Sequence, residues 1–103
     1  MTLVLIRCMK KANKGQQFIA KELPDAEMKK LLLEIGKLIK ALRDDRTTME
    51  RFVYEINISR SQMSKYEAGS DMLLSTFLKV LHGLDITGEV FFKELQKTNR
   101  KIV

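Results

Sequence analysis

Pro24 is the only proline in a chain of 103 residues, and behind it apolar side chains recur at helical spacing almost to the C-terminus. Proline breaks helices from the inside, because it lacks a donor and its ring clashes with the preceding turn. Everything after position 24 is therefore free to be helical. The run DAEMKKLLLEIGKLIKALRDD places Met28, Leu31, Leu32, Ile35, Leu38, Ile39 and Leu42 on one stripe, with Lys29, Lys30, Lys37 and Lys40 between them. That pattern predicts a long amphipathic helix. Asp25 and Glu27 suit the positive end of its dipole, and Gly36 weakens it without breaking it.

Shorter helices are expected next, punctuated by caps rather than by long loops. Thr48 caps a second helix whose Phe52, Val53 and Ile56 face inward, and Asn57 stops it in a left-handed conformation. Ser59 caps a third, with Met63 and Tyr66 inward, and Gly69 ends it. A fourth, near Leu74 to Leu84, is expected to bury Phe77, Leu78, Leu81 and Leu84. Thr87 caps a fifth, in which Val90, Phe91 and Leu95 close the core. Met28, Met63 and Met72 read as packing side chains. The expected class is all-α: five helices in one domain over 25–96, with a basic tail at 97–103.

Residues 1–24 follow another pattern and read as an N-terminal arm. TLVLIRC is aliphatic without helical spacing, KKANKG is turn-rich and basic, and QQFIAKEL suits a second extended piece. A β-hairpin turning near Asn13 to Gly15 is one reading. A lone two-stranded hairpin is marginal in water, so it would dock on the helices or pair with another subunit. An unstructured arm and a true start at Met9 are the competing readings.

Composition narrows the function. At 45% hydrophobic and 31% charged residues the chain is globular rather than disordered. Lys and Arg exceed Asp and Glu by 19 to 13, a net +6, with a pI near 9.6. Such a balance favours polyanionic partners, nucleic acid ahead of an acidic membrane surface, against the plainer reading that the charge only aids solubility. Cys8 and His82 are each the sole residue of their type. An intrachain disulfide is excluded, no metal or other cofactor is expected, and no catalytic set converges, so the chain does not read as an enzyme. No apolar run approaches the roughly 20 residues of a membrane span. MTLVLIRC is too short for a signal peptide, and its charges follow the apolar stretch instead of preceding it. A cytoplasmic protein without membrane contact is expected.

The stretch NISRSQMSKYEAG carries the functional signal. Two short helices joined by a tight turn, the second with a polar outer face, form a helix-turn-helix. The first turn of the second helix can then enter a major groove about 12 Å wide, where base edges are distinguishable. Small Ser59 and Ser61 let the backbone approach. Arg60 and Lys65 can reach guanine acceptors or phosphates, and Gln62 can pair with adenine or a phosphate oxygen. Between 47 and 70, Arg51, Arg60 and Lys65 balance Glu50, Glu55 and Glu67. The basic excess therefore lies elsewhere, and Arg7, Lys10, Lys11 and Lys14 with Lys97, Arg100 and Lys101 are candidates to embrace adjacent phosphates.

From about Leu31 to Phe92 the chain resembles the phage-repressor-like (Cro and lambda repressor, XRE-type) helix-turn-helix family. Thr48, Phe52 and Val53, Ile58 and Ser59, Met63 and Ser64, Glu67 and Gly69, then Leu84-Asp85-Ile86 fill that family's positions. The resemblance implies a five-helix lambda-repressor-like domain binding double-stranded DNA as a homodimer on a pseudo-palindromic operator. It implies base or backbone contact from Ser59, Arg60, Ser61 and Lys65, and places Gln62 near a phosphate. Thr48 would approach the DNA backbone and Ser70 the other strand. Glu67 matches a structural acid whose partner is an arginine of the first helix, here Arg43, across a connection one residue shorter than the pattern. Gly69 matches the structural turn. Met49 stands in place of a phosphate-anchoring Gln, which implies weaker anchoring, and Asn57 in place of the usual Gly. Two other functions fit such a domain: an antitoxin that binds a protein partner and autoregulates, and a protein-interaction module that never touches DNA.

Overall fold

The computed structural model describes residues 18–98. Helices run over Asp25–Arg46 (α1), Met49–Ile56 (α2), Arg60–Glu67 (α3), Leu74–Gly83 (α4) and Gly88–Thr98 (α5). The all-α expectation holds. Residues 18–24 are irregular and exposed; the expected hairpin otherwise falls on residues outside those described, as does most of the basic tail.

The polypeptide is cut into helices by the residues that satisfy helix ends. The Pro24 carbonyl accepts from the Met28 amide at 3.0 Å and so opens α1, with Asp25 and Glu27 in its first turn and Arg43 and Arg46 in its last. Thr48 Oγ1 accepts from the Arg51 amide at 3.3 Å to open α2, and Thr87 Oγ1 accepts from Val90 at 3.2 Å to open α5. At the other ends the chain turns through positive φ at Asn57 (59°), Gly69 (104°) and Asp85 (57°). Each sits at the left-handed position of a Schellman turn: Ile58 donates to Val53, Ser70 to Lys65 and Ile86 to Leu81, all within 3.1 Å.

The core consists of Ile39, Phe52, Met63, Val80, Leu81, Leu84, Phe91 and Leu95, all nearly or fully buried. Phe91 anchors an aromatic cluster, edge-on to Phe77 with ring centroids 5.4 Å apart and to Phe92 at 5.5 Å. Three expected core positions are corrected. Leu78 is 56% exposed while Val80, two residues further along the helix, takes its place. Val90 is exposed because α5 turns Phe91 and Leu95 inward, and Met28 is exposed because α1 begins beyond the reach of the other helices.

Candidate nucleic-acid interface

α1 and α3 hold one another at two points. Gly36 is buried in the middle of α1, and a Cβ placed there would lie 2.5 Å from the Tyr66 carbonyl oxygen and 2.7 Å from that of Glu67. Only glycine admits so close a backbone approach. Beside it the Arg43 guanidinium forks onto the Glu67 carboxylate, Nε donating to Oε2 and Nη2 to Oε1 at 3.1 Å. Both side chains are buried. Arg43 also meets Asp44 Oδ1 at 2.8 Å. The hydrogen bond to Glu67 raises the Arg43 pKa above its ordinary value, against the opposing effect of burial. The pairing implied for Arg43 and Glu67 is therefore made, despite the shortened connection before Thr48.

With its C-terminal half fixed in this way, α3 offers the rest of its surface to solvent. Only Met63 and Glu67 are buried on it; Arg60, Ser61, Gln62, Ser64 and Lys65 are exposed, and so are Thr48, Ser59 and Ser70 at the borders. The N-terminus of α3 is closed by a capping box. Ser59 Oγ accepts from the Gln62 amide at 3.1 Å, and Gln62 Oε1 accepts from the Ser59 amide at 3.4 Å. The box engages one of the two lone pairs of Gln62 Oε1 and leaves its NH₂ free, a donor suited to a phosphate oxygen.

Charge on this face is mostly compensated. Arg51 faces Glu55 within α2 at 3.6 Å, and Arg60 Nη1 meets Glu50 Oε1 at 3.0 Å across the two helices. The Lys79 ammonium donates to the Asn57 carbonyl at 3.3 Å, tying α4 to the turn. The sequence alone assigns no role in the site to Glu50, Gly36 or Lys79. For Glu50 no spacing rule gives a signal, since its partner lies on another helix. For Gly36 the only hint was a helix-weakening residue kept in the middle of an apolar stripe.

Two short helices meeting at a left-handed turn, the second laid open along one side and the first helix bracing it, make a helix-turn-helix fold similar to that of phage-repressor-like proteins. The resemblance read from the sequence thus holds in three dimensions. Among solved structures the chain is similar to the restriction-modification controller protein C.Esp1396I, a tetramer in complex with its natural 35 base-pair operator. The two are 28% identical with a TM-score of 0.60, over 65% of this chain and 91% of that one. No protein-family model matches the sequence, and comparison with curated proteins gives no match.

Proposed function

We propose that the protein is a sequence-specific DNA-binding transcriptional regulator that occupies a pseudo-palindromic operator as a dimer. The observation that carries this reading is the exposed polar face of α3, held rigid from behind by Arg43, Glu67 and Gly36. The likeness to an operator-bound controller protein supports it. Ser59, Arg60, Ser61 and Lys65 contact bases or backbone, while Thr48, Gln62 and Ser70 contact phosphates. One reading helix covers too few base pairs to find a site among a genome's competitors, whereas two helices one DNA turn apart, about 34 Å, multiply the discrimination. An apolar surface supports the dimer. Leu73, Leu74 and Leu78 are more than half exposed, and Leu74 lines a cleft with Leu32, Ile35, Met72, Phe77 and Phe92. Regulation follows from occupancy, by blocking polymerase or by touching it.

The test is selection of bound sequences from a random DNA library at two salt concentrations. An inverted repeat is expected. Arg60→Ala and Lys65→Ala should each weaken binding to the selected site by about 1–3 kcal/mol with folding intact. A library that yields no preferred sequence, or full affinity in both variants, removes the assignment. No preferred sequence together with a stoichiometric co-purifying protein would favour the interaction module instead.

A further inference from the structure

Resting on the assignment of α3 as the reading helix, we propose that Glu50 is a positioning residue that aims Arg60 and so determines which base is accepted opposite it. Glu50 is the second residue of α2 and Arg60 the first of α3. Their ion pair, at 3.0 Å, is the bond that joins the leading ends of the two helices. It is not ordinary helix support of the kind Arg51 and Glu55 give one another within α2.

The chemistry follows from which nitrogen is taken. A guanidinium carries its donors in a rigid fork. Glu50 Oε1 occupies Nη1, which leaves the edge formed by Nε and Nη2 for a partner with two acceptors side by side. The O6 and N7 of guanine present such a pair in the major groove. With Glu50 in place the long Arg60 side chain loses rotational freedom and its charge is largely compensated, so it is a poor partner for a passing phosphate. Glu50 also repels phosphates directly. Lys65 is left as the cation of α3 with no ion pair among the described residues, available for backbone attraction. Glu50 thus exchanges indiscriminate affinity for choice of base.

The experiment is library selection on the full chain carrying Glu50→Gln, Arg60→Ala or both, beside the wild type. Both side chains are about two-thirds exposed, so melting curves should stay close to the wild type. Wild type should prefer guanine at one position of the site, and Arg60→Ala should lose that preference. Glu50→Gln should reduce it about tenfold at the same position and leave the other positions unchanged. Its binding to random DNA should strengthen, with a steeper salt dependence. In the Arg60→Ala background, Glu50→Gln should add nothing at that position, the signature of two residues acting through one contact. Full guanine preference in Glu50→Gln overturns the proposal. So does a loss spread evenly over every position, which would mark Glu50 as general support for α2. A wild-type library without any preferred sequence instead overturns the DNA reading beneath it.

Discussion

Arg43 does more than any other charged side chain to set the geometry of the described domain. One guanidinium reaches Glu67 on α3 and Asp44 beside it, and the Arg43 carbonyl accepts from the Thr47 amide at 2.8 Å, in the connection to α2. Its pKa, raised by the bond to Glu67, keeps it charged at every pH at which the protein would be handled. Removing one member of a buried pair leaves the other desolvated and uncompensated, which costs more than the pair itself contributes. Glu67→Ala should therefore lower the unfolding free energy by about 3 kcal/mol, measured by urea titration. Replacing both, as Arg43→Met with Glu67→Leu, should recover most of that loss. A double variant as unstable as the single one would show that the pair stabilises outright. The pairing was legible in the sequence only through the family pattern; an arginine on an amphipathic helix ordinarily reads as a solvated cation.

At the scale of elements, caps and turns were the most legible part of the chain. Thr48, Ser59, Thr87, Asn57 and Gly69 each act at the position assigned to them, because capping chemistry is local and needs no knowledge of the rest of the fold. Rotation of a helix about its own axis is not local. On α4, Phe77, Leu81 and Leu84 belong equally to a stripe with Leu78 and to one with Val80. The second prevails because it faces Phe52 and Phe91 in the common core. Gly36 is the sharpest case, since its role is defined by the carbonyls of a helix thirty residues downstream. An isolated helix would gain about 1 kcal/mol from Gly36→Ala. Here the added methyl group meets rigid backbone at 2.5 Å, and α1 and α3 must separate. The expected outcome is the opposite sign, a loss of about 1–3 kcal/mol, seen as a lower melting temperature. Affinity for the selected DNA should fall as well, since α3 is displaced. A stabilised variant would mean that α1 and α3 part at little cost to admit the methyl group.

The whole molecule separates shape recognition from charge. All 13 carboxylates lie between 18 and 98, where an equal number of Lys and Arg balances them. The net +6 is carried entirely by Arg7, Lys10, Lys11 and Lys14 at one end and Arg100 and Lys101 at the other. A helical domain of zero net charge has little long-range attraction for a polyanion, so the proposed DNA binding is expected to draw most of its electrostatic attraction from the two basic ends. Each phosphate neutralised contributes about 0.9 to the slope of log affinity against log salt. Lys10→Gln, Lys11→Gln and Lys14→Gln together should flatten that slope by roughly two to three while leaving the selected base sequence intact, because none of these residues belongs to α3. Lys65→Gln should flatten it by about one. If the triple variant keeps the wild-type slope, the N-terminal basic cluster makes no contact with the duplex, and the attraction must come from the helical surface despite its balanced charge.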